Sequence, residues 1–365
     1  MREPFLKRDI SDAIKGVALI MMYVHHLFTW PDWRIESIAY PEYLLFARLF
    51  NSPLKLCVPV FAFLSGYFYH FTVEKSLRYS LRKMTDLLIP HFIVCVLMMI
   101  PAAVFGTYEL SVSSAATELM GLGIDVMCFS WYVSFYCASM LLLPVITRLS
   151  AGNLLGDIVT MLALPVIGAQ IISIMMERAI PLDTAIPAGI LGSIQEWFPC
   201  IISGYVFAKY ALFETWLDNV TDNISGKAGK IFFWLCLCAA GFLGRLAIPR
   251  FRLDGIQIAG DWTELVFLMD VVYAPLFVYG MVRLLEMVKI PAFLKCLRAI
   301  GQKSMYMWFL HAMFFNSCKE FIQPVVYAPR NPVLVLIWAL AICYALASVI
   351  DKMMRPLLKV KKKII

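Results

Sequence analysis

Charge is what this sequence has least of. Only 16% of its 365 residues are Asp, Glu, Lys or Arg, against 61% hydrophobic, and the mean hydropathy is +0.77. A water-soluble fold of this length needs more charged surface than that, so a soluble enzyme or a nucleic-acid-binding domain is excluded. Long hydrophilic stretches are also missing, which leaves no room for a sizeable soluble domain. No C-x-x-C spacing occurs among the ten cysteines, most of which lie inside apolar runs. That argues against a zinc or thiol-redox site and for thiols that fill helix contacts, so no metal is expected. No internal repeat is evident, which weakens a symmetric-transporter reading.

What is present is a series of apolar runs, each near the 20 or so residues that a helix needs to cross a bilayer. Spans are expected at 10–30, 53–71, 87–105, 129–147, 154–175, 194–211, 230–248, 262–283, 302–318 and 331–351. The first run ends in Trp30-Pro31-Asp32-Trp33 without a small-residue cleavage site, so it reads as a retained helix rather than a signal peptide. The fold class is therefore all-α: a polytopic membrane bundle of about ten transmembrane helices, forming one domain over 1–351, with a basic cytoplasmic tail over 352–365. With the N-terminus in the cytoplasm, roughly two thirds of the 32 Lys and Arg residues fall on the cytoplasmic side, which puts both termini there and the chain in the cell membrane. The net charge of +7 thus reports topology rather than an affinity for nucleic acid.

Polar residues inside such runs need a reason. His25 and His26 lie in the outer half of the first span, about 100° apart around the helix, so they do not form a single clamp. One can face a cavity while the other packs, and a neutral imidazole there suits general-base chemistry. His311 falls near mid-membrane and requires a partner or water. Lys15 follows Asp12 by three residues on the same helix face and either snorkels or binds an anion. Arg78, Arg82 and Lys83 lie on the same side, and either anchor the chain or join Lys15 in recognising a phosphorylated cytosolic donor. Asp86, Asp270 and Glu196-Trp197 need partners at or within the bilayer. On the opposite side, Trp30, Trp33 and Arg34 with Arg245, Arg250 and Arg252 either anchor the interface or offer aromatic faces and donors to a glycan. Pro59 through Tyr67 combines a kink-prone proline with small residues that allow close helix approach.

Five segments together carry a resemblance. They are Asp12-Ala13-Ile14-Lys15-Gly16 running on to His25-His26; Val58-Pro59-Val60-Phe61-Ala62-Phe63-Leu64-Ser65-Gly66-Tyr67; Arg82-Lys83 leading to Leu87-Leu88-Ile89-Pro90; Ser130-Trp131-Tyr132-Val133; and Ile300-Gly301-x-x-Ser304-x-Tyr306 followed by His311. In order and spacing they resemble the acyltransferase 3 family of polytopic membrane proteins, over nearly the whole chain. The resemblance implies an O-acetyltransferase that takes acetyl from cytoplasmic acetyl-CoA to a hydroxyl of a cell-surface or lipid-linked glycan. It implies His26 as the catalytic histidine, eleven residues after a basic residue that is here Lys15, with Lys15 itself and His311 as further catalytic candidates. It also implies Lys15, Arg78, Arg82 and Lys83 as donor contacts. Two positions depart from the family pattern: Lys15 stands where Arg is common, and Asp86 where Arg often precedes Leu-Leu-Ile-Pro. Another short acyl group such as succinyl is compatible with the same donor chemistry. The non-enzymatic alternative is an exporter of an acylated compound or polysaccharide.

Overall fold

The computed structural model describes residues 3–29, 43–123, 125–127, 129–163, 165–168, 171–172, 175, 185–246, 269–288, 290–315 and 318–364. The described residues are helical with short connections. Besides a short helical turn at Asn219–Asp222, the helices are α1 (Arg8–Phe28), α2 (Tyr43–Leu54), α3 (Cys57–His70), α4 (Leu77–Val104), α5 (Val112–Leu119), α6 (Trp131–Ile146), α7 (Leu154–Asp157), α8 (Ala185–Tyr210), α9 (Lys227–Leu243), α10 (Asp270–Met287), α11 (Pro291–Gln302), α12 (Ser304–His311), α13 (Lys319–Val326) and α14 (Pro332–Ile364). Trp30, Trp33, Arg34, Arg250 and Arg252 lie outside the described residues.

Among the described residues, five helical segments are long and apolar enough to cross a membrane: Leu49–His70, Leu77–Val104, Trp131–Leu149, Lys227–Leu246 and Pro332–Arg355. The protein is a multi-pass membrane protein. Five other expected spans lack that signature; of 262–283, residues 262–268 lie outside the described residues, and three of the rest have a physical reason. Helix α1 carries Asp9, Asp12 and Lys15 in its first turns yet is buried over most of its length, so protein rather than lipid surrounds it. The segment expected at 302–318 is a short helix, α12, that tightens into a 3₁₀ turn over Ala312–Phe314. Residues 154–175 run from α7 into a π-helical turn, Ile158–Ala163, and then partly outside the described residues.

Exposure separates an outer layer from a core. Helices α4, α9 and α14 turn large apolar side chains outward, among them Phe92, Leu97, Ile100, Phe232, Leu235, Ile337 and Val349. Such a surface is costly in water and matched by hydrocarbon. The core is built where small residues let backbones meet. A Cβ on Gly66 would overlap the Ile201 carbonyl, and one on Gly204 the Phe63 carbonyl, so α3 and α8 pack backbone to backbone. Gly16 and Gly301 do the same between α1 and α11, against the carbonyls of Leu297 and Asp12.

The two ends of this core differ chemically. At one end Asp9 pairs with Arg298 at 3.1 Å, Gln302 donates to Asp12 at 3.3 Å, and Lys303 and Arg355 share Asp351. The start of α1 and the later part of α14 therefore meet at the same end. At the other end, Asn51 donates to the Thr29 carbonyl at 3.1 Å, and Ser52 to the Arg245 carbonyl at 3.1 Å. The histidines of α1 lie toward this second end.

Candidate active site

His26 is the nineteenth residue of a 21-residue helix, where one more turn ends the segment at Thr29. Thr29 closes that turn. Its hydroxyl donates to the His25 carbonyl at 2.6 Å, and since a carbonyl only accepts, the same oxygen takes the N–H of His25 Nδ1 at 2.8 Å. His25 is thereby held by its own helix. His26 instead reaches across the core: its Nδ1 lies 2.8 Å from Nε2 of His311, the last residue of α12. Residues 285 apart in sequence thus form one pair, both buried.

The proton positions in this pair follow from the far end of the chain of bonds. His311 Nδ1 bonds the Trp308 backbone carbonyl, which can only accept, so that nitrogen carries the proton. In a neutral His311, Nε2 is then the acceptor, and His26 Nδ1 must be the donor. The lone pair of a neutral His26 is left on Nε2, the nitrogen turned away from His311. A backbone carbonyl thus sets the tautomer of a histidine two rings away.

Phe129 fixes the plane of the pair. Its ring stacks on His26 with centroids 4.0 Å apart and on His311 at 4.7 Å, both at 13°. Phe129 is in turn located by Trp308, whose indole N–H donates to the Phe129 carbonyl at 3.3 Å. The loop before Phe129 is tied by Glu118, a buried carboxylate at the end of α5. One of its oxygens accepts the backbone N–H groups of Asp125 at 2.8 Å and Val126 at 3.1 Å; the other accepts that of Met127 at 2.9 Å. A carboxylate that satisfies three amides converts a flexible connection into a fixed one.

Beside the pair opens a cavity of about 320 Å³. Its wall includes His25 and His26, the aromatic faces of Trp131, Trp197 and Trp308, and the polar groups of Lys55, Ser193 and Glu196. Behind Trp197 sits a buried ion pair, Arg245 with Asp270 at 3.4 Å, the guanidinium lying 5.8 Å from the Trp197 ring centroid. The volume suits a ligand the size of one sugar unit rather than a polymer, and indole faces with a few polar groups are what a sugar ring binds.

With this geometry in view, comparison with known families is decisive. The Acyl_transf_3 model, an acyltransferase domain, matches residues 9–351. The chain belongs to that family. No curated protein and no solved structure matches it.

The remaining sequence candidates of this acyltransferase lie apart from the histidine pair. Lys15 is eleven residues before His26, about 16 Å along the helix, and pairs with Asp12 at 3.2 Å. Arg78, Arg82 and Lys83 occupy the first turns of α4, with Arg82 and Lys83 both over the Tyr79 ring and Lys83 3.9 Å from Asp86. Asp270 finds its partner in Arg245, and Glu196 and Trp197 line the cavity. Among the described residues, no group of three or more His, Cys, Asp and Glu could hold a metal ion.

Several residues of the site escaped the sequence reading. Lys55 lines the cavity, and its only signal in the sequence is that it stands four residues before Pro59. Glu118 is a lone acid at the end of α5, in the connection between two spans, and nothing in its spacing announces three amide contacts. Phe129 and Trp308 were two aromatics among many.

Proposed function

We propose that this membrane acyltransferase moves an acetyl group from acetyl-CoA to a hydroxyl of a cell-surface or lipid-linked glycan, with His26 as general base. The observation that carries the reading is the relay from the Trp308 carbonyl through His311 to His26 at the edge of the cavity. Nε2 of His26 takes the proton of the acceptor hydroxyl as its oxygen attacks the thioester carbonyl. The tetrahedral intermediate collapses, the C–S bond breaks, and the thiolate leaves with the proton from His26. The products are an O-acyl ester and free CoA. His311 steadies the transient imidazolium by accepting its Nδ1–H throughout.

The membrane arrangement we propose has about ten crossings, with the core helices α1, α8, α10 and α12 and the segment expected at 154–175 added to the five strongly apolar segments. Both termini are cytoplasmic, consistent with the meeting of the start of α1 and the later part of α14 at one charged end. The acyltransferase domain spans 1–351, followed by the basic tail 352–365. Lys15, Arg78, Arg82 and Lys83 contact the phosphates of the donor on that face. From there the extended arm of CoA runs along α1, and the separation between Lys15 and His26 is of its length. A different short acyl group would use the same path.

The test is transfer itself. Purified protein given labelled acetyl-CoA and a panel of glycans should yield labelled, base-labile ester on an acceptor. Hydrolysis of the donor with no acceptor labelled, across neutral, cationic and anionic glycans, would refute the reading.

A further inference from the structure

The cavity beside His26 has a polar wall that the proton transfer leaves unused. In α8, Ser193, Glu196 and Trp197 stand at i, i+3 and i+4, so one face of that helix brings a hydroxyl, a carboxyl and an indole to the cavity. In α1, Met22, His25 and His26 follow the same spacing and bring the base. Base and carboxyl thus enter one cavity from two different helices.

Glu196 differs from the other acids of the core. Glu118 is committed to three backbone amides, Asp157 to Lys209, Tyr210 and Ser150, and Asp270 to Arg245. Glu196 makes no hydrogen bond or ion pair among the described residues, and both of its carboxyl oxygens keep accessible surface. Lys55, Arg245 and Asp270 are within electrostatic reach without pairing with it. A carboxylate with no protein partner keeps its whole accepting capacity for a ligand, two oxygens that can each take a hydroxyl hydrogen. Bonds of that kind are charge-assisted and stronger than those between neutral groups. A sugar ring lying against the indoles of this wall brings the hydroxyls on its edge to the carboxylate.

We infer that Glu196 holds the acceptor sugar by two adjacent ring hydroxyls and so determines which remaining hydroxyl meets Nε2 of His26. The inference rests on the proposed acyl transfer to a glycan. It narrows the acceptor to sugar units that keep a free vicinal diol besides the hydroxyl that is acylated. A sugar lacking either hydroxyl of that diol leaves one carboxylate oxygen without its bond, and a site built to accept from a hydroxyl rejects such an analogue.

The experiment measures binding without donor, so it is independent of catalysis. Full-length protein in phosphatidylcholine nanodiscs is titrated with the methyl glycosides of glucose, mannose, galactose and N-acetylglucosamine, and binding is followed by saturation-transfer NMR. The tightest binder is then compared with its monodeoxy analogues. In the wild type, two analogues that lack adjacent hydroxyls should each bind about 10-fold or more weakly than the parent. Glu196→Gln keeps the shape of the side chain and removes its charge. It should weaken the parent by about 10-fold and those two analogues by about 3-fold or less, because a bond already missing cannot be lost again. Equal losses for the parent and every analogue, parent binding that Glu196→Gln leaves intact, or no glycoside bound at all would overturn the inference. If the binding pattern holds while no glycan is acylated, it is the catalytic reading that fails.

Discussion

At the scale of single residues, the site is organised by hydrogen bonds whose direction is fixed by atoms that can only accept. The Trp308 carbonyl sets His311, His311 sets His26, and the His25 carbonyl sets Thr29 and through it His25. Two adjacent histidines on one helix therefore acquire different duties. His25 is tied within its helix, and His26 is tied to another helix. The Arg245–Asp270 pair behind Trp197 works differently. Both side chains are essentially inaccessible, and their mutual contact is long at 3.4 Å. Removing only one partner strands a buried charge, whereas replacing both removes the need for either. Arg245→Met should therefore lower stability by about 3–5 kcal/mol, and the double variant Arg245→Met, Asp270→Leu should restore most of it. Thermal unfolding of the detergent-solubilised protein reads both. A double variant no more stable than the single one would mean that the pair contributes more than mutual neutralisation.

At the scale of helices, the contacts that position the site are backbone to backbone, and they turn on glycine. Gly66 in α3 faces the Ile201 carbonyl of α8, where no side chain fits. Gly192, also within α8, has nothing within 4 Å of where its Cβ would be. Gly66→Ala should cost about 1–3 kcal/mol through forced separation of α3 from α8. Gly192→Ala should be neutral or stabilising by about 0.5–1 kcal/mol, because alanine favours a helix. Paired melting curves of the two variants compare the same chemical change in the two surroundings. The close approach at Gly66 was legible in the sequence, since Pro59 through Tyr67 combines a kink with small residues. The partner surface at Gly204 was not, because small residues are common in membrane helices and do not name their neighbours.

At the scale of the whole molecule, the membrane class was legible because hydropathy is a local sum that survives without knowledge of packing. Four of the five strongly apolar segments are mostly exposed, and lipid is the only environment those faces suit, whereas Leu49–His70 is mostly buried in the core. The core helices were harder to read. Protein surrounds them, so they carry Asp12, Lys15, the histidines and Asp270, and α12 is too short to register by length. The site itself was half legible. His26 and His311 each stood out as ionisable groups in apolar runs, but their pairing depends on the packing of helices 285 residues apart. The cavity beside them draws on Phe129, in a loop tied by Glu118, a contact that no periodicity encodes. The account depends most on the two histidines acting as one unit, and acyl transfer by the reconstituted protein tests this directly in His26→Ala, His311→Ala and the double variant. His26→Ala should reduce kcat by about 10²- to 10⁴-fold, His311→Ala should do so to a lesser or similar extent, and the double variant should be no worse than His26→Ala alone. Wild-type turnover in His26→Ala, or losses that multiply in the double variant, would contradict it.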